Sequence, residues 1–282
     1  MNILIADSGS TKTIWALVQK ENTFQITTEG INPYYQDKQA IIQTILEVAE
    51  QLKDYDIEKI HFFGAGCSNK TQQNKVDSTI QVAFPNTQIR VAHDMLGAAI
   101  GLCKREEGIA CILGTGSNAC LYDGNNIIKQ APNYGFWLGD EGSGGNLGKK
   151  LIIDYLHHDM PKALRQVLQY TYQLDRDVIL AQAYRKNFPN RYFAQFSKFL
   201  KEHLEETYAQ NLVANSFNEF FEKYIKKLAI KWPLFFVGSV AVSFEEILRS
   251  VAKNHNFNVV LTEKDPIEGL IQYYQQEISF HK

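Results

Sequence analysis

Apolar and polar positions along this chain fall into blocks whose period changes. Ile3 to Ala6 and Thr13 to Val18 are short β-prone runs, and the polar stretch Asp7-Ser8-Gly9-Ser10-Thr11-Lys12 between them predicts a hairpin with a small-residue turn. From Gln39 to Lys53 the period becomes helical, with Ile41, Ile42, Ile45, Leu46, Val48, Ala49 and Leu52 at the matching spacing. Lys59 to Phe63 predicts a buried strand ending at Gly64-Ala65-Gly66. A helix over Gln72 to Phe84 and a strand over Gln88 to Ala92 come next. Strands alternating with helices predict an α/β lobe.

The opening pattern then recurs. Ala110 to Leu113 predicts a strand, Gly114-Thr115-Gly116-Ser117 a turn, and Asn118 to Tyr122 a second strand. We read this as an internal duplication, in which the two small-residue turns can face each other across a cleft. The stretch from Leu147 to about Ile230 is rich in Tyr, Phe, Leu, Lys and Glu and almost free of glycine, which predicts several helices inserted in the second lobe. Leu234 to Val237 predicts one more strand, ending at Gly238-Ser239-Val240-Ala241.

Composition narrows the function classes. A chain of 282 residues exceeds the usual size of one core, so two lobes are expected. With 45% hydrophobic and 21% charged residues it has ordinary globular usage, which excludes dominant disorder. The formal net charge of −2 gives no global positive field and argues against nucleic acid as the partner. Cys67, Cys103, Cys111 and Cys120 form no C-x-x-C pair and read as reduced core thiols rather than a zinc or dithiol site. The sequence enters a strand at once, without a signal-peptide pattern, and holds no apolar run of membrane-spanning length, so a soluble cytoplasmic protein is expected.

The candidate chemistry sits at strand ends. Phosphate requires closely approaching backbone N–H groups and short hydroxyl donors, and glycine with serine or threonine supplies both. The segments from Asp7 to Thr13 and from Gly114 to Ser117 fit. Either alone reads as an ordinary hairpin turn; two copies shift the balance. Neither is a Walker A loop, because Thr11 stands where glycine should precede Lys12, and Gly114-x-Gly116 opens a strand rather than the helix a dinucleotide fingerprint needs. Asp94 follows a strand and precedes the small-residue segment Met95 to Gly101. It can serve as a helix N-cap or as a general base removing a hydroxyl proton. Asp140 and Glu141 lie in the glycine-rich stretch Gly135 to Gly145, too rich in glycine for a regular element, with an aromatic beside them. Such a loop suits sugar hydroxyls, or caps the apolar helix from Leu147.

In order, Asp7 to Thr13, Asp94, Gly114 to Asn118, Gly139 to Ser143 and Gly238 to Val240 resemble the motif series of N-acetylglucosamine kinases, and more broadly the BadF/BadG/BcrA/BcrD ATPases of the sugar kinase, Hsp70 and actin superfamily. The resemblance covers nearly the whole chain. It implies an α/β fold of two duplicated actin-like (ribonuclease H-like) lobes with an ATP and sugar cleft between them. The first lobe is expected over 1–108, with a helix from 267–282 returning to it. The second is expected over 109–266, with its helical insertion about 147–230. It implies that Ser8, Gly9, Ser10, Thr11, Lys12 and Thr13 form a first phosphate hairpin, that Gly114, Thr115 and Gly116 form a second, and that Gly238 and Ser239 turn around adenosine. It further implies that Asp7 holds Mg²⁺ through water, that Asp94 is the base activating a sugar 6-hydroxyl, and that Asn32, Ser117, Asn118, Gly139 and Asp140 contact the sugar. The implied activity is ATP-dependent phosphorylation of N-acetylglucosamine or a close amino sugar by a homodimer. Two other readings stand beside it: an ATPase activator of a radical dehydratase, which needs exposed cysteines for a shared iron–sulfur cluster, and a non-catalytic sugar sensor. The first loop departs from the family pattern, with Asp-Ser-Gly-Ser where Asp-Gly-Gly is common.

Overall fold

The computed structural model describes residues 1–9 and 11–280, the side chain of Phe280 excepted. Ser10, expected in the first phosphate hairpin, lies outside the described residues. The chain divides into two compact units. Unit 1 comprises Met1–Glu106, Tyr122–Ile127 and Asp265–Lys282, and unit 2 comprises Glu107–Leu121 and Ile128–Lys264.

Unit 1 is built on β1 (Ile3–Ser8), β2 (Lys12–Val18), β3 (Thr23–Glu29), α1 (Lys38–Gln51), β4 (Lys59–Gly64), α2 (Lys70–Ala83), β5 (Gln88–His93) and α3 (Asp94–Cys103). Its sheet runs β3-β2-β1-β4-β5. β1 pairs antiparallel with β2, from Ile3 opposite Val18 to Ser8 opposite Thr13, and parallel with β4. This register brings the C-terminal ends of β1, β4 and β5 to one edge, as parallel strands require. Ser8, Gly64 and His93 are aligned there. The helices form because apolar positions repeat at helical spacing: Ile41, Ile45 and Val48 of α1 are buried and pack with Trp15, Phe62 and Val76 in one core.

Unit 2 repeats the plan. After β6 (Glu107–Leu113), β7 (Ser117–Asp123) and β8 (Ile127–Gln130) come α4 (Gly135–Leu138), α5 (Gly144–His157), α6 (Lys162–Tyr172), α7 (Arg176–Tyr184), α8 (Pro189–Ala194), α9 (Ser197–Glu202) and α10 (Thr207–Phe220). A π-turn, Phe221–Ile225, continues α10 into α11 (Lys226–Leu228). The unit closes with β9 (Leu234–Val237), α12 (Ser239–Ser243), α13 (Glu245–Asn254) and β10 (Val259–Glu263). Read from the other edge, its sheet order β8-β7-β6-β9-β10 is the same arrangement as in unit 1, so the duplication extends to topology. Phe196, Phe199, Phe217, Phe220, Phe221 and Phe236 are almost fully buried in its core.

One element returns to the beginning. Helix α14 (Ile267–Phe280) packs on α3 and on β1 and β2 of unit 1. It crosses α3 so closely that a Cβ on Gly269 would lie 1.8 Å from the carbonyl oxygen of Gly101. Two segments differ from the sequence expectation. Gly135–Leu138 forms a helical turn within the stretch read as irregular, and α5 begins at Gly144 instead of Leu147. The cause is a cap: Ser143 Oγ accepts the Asn146 N–H at 3.1 Å, and the free amides of Gly144 and Gly145 donate to the carbonyls of Gly114 and Thr115. Among the described residues no helix is long and apolar enough to cross a membrane.

Candidate functional site

In unit 1 the candidate residues gather where β1 and β5 end. The hairpin between β1 and β2 is closed by the Gly9 N–H donating to Lys12 O at 3.0 Å. The hydroxyls of Ser8 and Thr13 turn inward. They lie 2.7 Å apart, both fully buried, and Ser8 Oγ exchanges hydrogen bonds with the backbone N–H and C=O of Ile31 at 3.0 and 3.1 Å. Thr13 Oγ1 donates to Glu29 O. These two side chains brace the hairpin against the segment after β3, where their hydroxyls are engaged within the fold. Gly9, half-buried, and the exposed Thr11 and Lys12 form the outward part of the loop.

Asn32 follows that segment and is 7% exposed. Its Oδ1 accepts the Tyr34 N–H at 3.1 Å, an Asx-turn, and its own N–H donates to Gln36 Oε1 at 2.7 Å. Gly66 passes directly beneath, where a Cβ would come within 2.5 Å of Asn32 Oδ1, and its φ of +81° also favours glycine.

Asp94 is the first helical residue of α3, not its cap. The cap is His93, whose Nδ1 accepts the Met95 N–H at 3.3 Å and lies 3.0 Å from Asp94 Oδ1. Burial acts to raise the Asp94 carboxyl. The His93 charge and the Met95 amide outweigh it and hold the group below its ordinary value. Asp7 shows the opposite balance: burial, then the charges of Asp94 and Asp265, push its carboxyl up to about 7, with Lys12 opposing them. Lys12 Nζ is 3.6 Å from Asp265 Oδ2. Asp265 escaped the sequence reading, although it repeats the Asp94 pattern of a carboxylate between a strand and a helix.

This excess of negative charge fits a divalent cation, which would let Asp7 ionise beside the Asp94 and Asp265 charges. No three His, Cys, Asp or Glu side chains among the described residues close on one metal-sized point. A Mg²⁺ ion here would therefore complete its shell with phosphate oxygens and water, as that ion ordinarily does.

Unit 2 carries a second group. The turn between β6 and β7 is tight, with Gly114 N–H donating to Gly116 O at 3.0 Å, and α5 abuts it through the amides of Gly144 and Gly145. Gly238 lies against the same turn with φ +126°, where a Cβ would meet Leu113 O at 2.2 Å. The structure thus brings the candidate adenosine turn, with Ser239 exposed, to the second candidate phosphate turn. Asp140 reaches it as well: its Oδ1 accepts the Ser117 N–H at 3.2 Å, and a Cβ on Gly116 would lie 3.1 Å from its other oxygen. Burial pushes the Asp140 carboxyl up to about 6, the Ser117 amide opposing and the Glu141 charge adding to it. Gly139 is buried beside the Tyr224 hydroxyl. Asn118, 6% exposed, is turned into the fold, where its Oδ1 accepts from the Ala119 N–H and from Gln130 Nε2.

All four cysteines are buried and none is in a disulfide, and burial pushes the thiols of Cys67 and Cys103 up to about 12. A cluster-carrying activator needs exposed thiolates, so that reading loses its ligands.

No family model matches the chain. A solved structure from Porphyromonas gingivalis, assigned as an N-acetylglucosamine kinase, is 40% identical and superposes with a TM-score of 0.92, covering 97% of this chain and 99% of that one. Another from Chromobacterium violaceum, with the same assignment, is 17% identical with a TM-score of 0.74 over 96% and 98% of the two chains, and shows the shared fold. The glucosamine kinase of Vibrio cholerae is 30% identical over 119 residues, 42% of this chain and 40% of that protein, so this match spans about two-fifths of the curated relative.

Proposed function

We propose that this chain, which belongs to the N-acetylglucosamine kinase family, transfers the γ-phosphoryl group of ATP to the 6-hydroxyl of N-acetylglucosamine or a closely related amino sugar. The observation that carries the reading is Asp94, a half-buried carboxyl at a helix start held ionised by His93 and the Met95 amide. A general base must be deprotonated and poised before the acceptor arrives, and Asp94 meets both needs.

The other candidates take roles to match. The hairpin of Gly9, Thr11 and Lys12 and the turn from Gly114 to Gly116 cradle phosphates through the backbone, while Gly238 and Ser239 receive adenosine. Asp140, Ser117, Gly139, Asn118 and Asn32 shape the sugar site; Asn118 and Asn32 act mainly by holding backbone in place. Asp7, with Asp94 and Asp265 near it, would hold Mg²⁺, which when bound neutralises phosphate charge. Asp94 accepts the proton of the attacking hydroxyl. Ser8 and Thr13 keep the hairpin rigid, and phosphoryl transfer depends chiefly on such positioning. A cytoplasmic homodimer is the form we expect from the family resemblance.

The test is ADP formation from Mg-ATP with N-acetylglucosamine, N-acetylmuramic acid, glucosamine, glucose or no sugar, for wild type and Asp94→Asn. The expected result is ADP release dependent on one amino sugar and reduced about 10²–10⁴-fold in the variant. ADP formed equally without sugar, or never formed, refutes the reading.

A further inference from the structure

Asp140 has left-handed backbone, φ 56°, a conformation strained for a residue with a Cβ. Something must hold it there. Its N–H donates to the Tyr224 hydroxyl at 2.9 Å. The next residue, Glu141, accepts from Lys223 Nζ, and the next, Gly142, donates its N–H to Ser216 Oγ at 3.1 Å. Three consecutive loop residues are thus tied to one continuous segment made of α10 and the π-turn. Two of the ties come from the π-turn itself.

A π-turn widens the helix by one residue and rotates the residues after it by about 100° relative to an unbroken α-helix. Such turns weaken helices and recur at functional sites. Here the ring of Tyr224, 2% exposed, stacks on Phe220 with centroids 5.0 Å apart, while its hydroxyl reaches the loop. Phe221 stays in the core, its ring stacked on His255. Burial pushes the Tyr224 phenol up to about 12, so it remains neutral and able to accept the amide. The buried Ser117 hydroxyl lies beside it, and the Ser117 amide holds the Asp140 carboxylate from the other side.

We propose that Tyr224 is a positioning residue for the sugar site: aimed by the π-turn, its hydroxyl locks the left-handed turn at Asp140 and so keeps the carboxylate on the Ser117 amide. The inference rests on the assignment of Asp140 to sugar binding.

Tyr224→Phe removes the hydroxyl and keeps the ring. Tyr208→Phe is the control, since it removes another part-buried tyrosyl bond of α10, to Asp154 at 2.6 Å. In Tyr224→Phe the KM for the amino sugar is expected to rise about tenfold or more, the effect of leaving one buried amide unpaired. The KM for ATP should stay within about twofold, and amide hydrogen exchange at Asp140 should speed up. Tyr208→Phe should lower thermal stability without moving either KM. Wild-type values in Tyr224→Phe, or an equal rise in sugar KM in Tyr208→Phe, overturn the proposal. If wild type forms no ADP with any amino sugar, the function assigned above fails, and exchange at Asp140 decides the lock by itself: unchanged exchange overturns it, and faster exchange supports it.

Discussion

Nδ1 of His93 lies 3.0 Å from Oδ1 of Asp94 and 3.3 Å from the amide nitrogen of Met95. One ring nitrogen cannot serve both: protonated it donates to Asp94, unprotonated it accepts the Met95 N–H and caps α3. Burial disfavours the imidazolium, but the Asp94 charge outweighs burial and the ring's pKa is raised. The same pairing keeps Asp94 low. In His93→Asn the cap survives, because asparagine is a good N-cap, while the cation is lost. The Asp94 carboxyl then rises, and the acid limb of kcat/KM should move to higher pH. A limb that stays in place would show that His93 does not tune the base.

His61 of β4 is stacked on Tyr274 of α14 with centroids 4.5 Å apart, and neither ring nitrogen has a hydrogen-bond partner among the described residues. Burial, with smaller contributions from Arg90 and Lys59 and against Glu277, pushes its pKa down to about 4. The unfolded chain takes up this proton near pH ~6.5 and the folded chain only near 4, so stability is complete above that window and is lost as pH falls through it. Urea unfolding at pH 7 and 4.5 should show His61→Phe losing roughly 2–3 kcal/mol less than wild type between the two. Equal losses would mean the ring is not the acid-sensitive group.

Gly238→Ala places a Cβ 2.2 Å from Leu113 O at φ +126°. The turn after β9 has to move away from the Gly114 turn. The expected outcome is a fall in stability of about 1–3 kcal/mol and a larger rise in KM for ATP than for sugar, read from steady-state kinetics and thermal melts. Equal rises in both constants would count against Gly238 as part of the nucleotide site.

At the crossing of α3 and α14, Gly269→Ala brings a methyl 1.8 Å from Gly101 O. Limited proteolysis should cut α14 from the variant faster than from wild type. An unchanged cleavage rate would mean that the close approach is not what holds the helix.

Elements that turn a continuous run or a full stripe of apolar residues to the core were legible. β1, β2 and α1 show their periods because Ile3 to Ala6, Trp15 to Val18 and Ile41, Ile45 and Val48 all reach the core. β3 and β8 were not legible, since β3 buries only Ile26 and β8 buries no residue, whereas the edge strand β5 was read because Ile89 and Val91 pack against the core beside the buried Ala92. β10, also an edge strand, was missed for the same reason as β3 and β8. The glycine turns were visible as turns, but which way Ser8 and Thr13 point depends on β3, the strand the pattern hides. Tyr224 left no trace in the sequence, because a π-turn has no period of its own.

Unit 2 is nearly continuous in sequence, whereas unit 1 draws on segments far apart in the chain, with α14 laid on α3, β1 and β2. During synthesis from the N-terminus, β1 to β5 emerge first and must wait, one apolar face uncovered, until α14 leaves the ribosome. The hairpin that would take phosphate is therefore made well before Asp265, which with Asp94 pushes up the carboxyl of Asp7. A nascent chain stopped before Asp265 carries that hairpin without its completed carboxylate group.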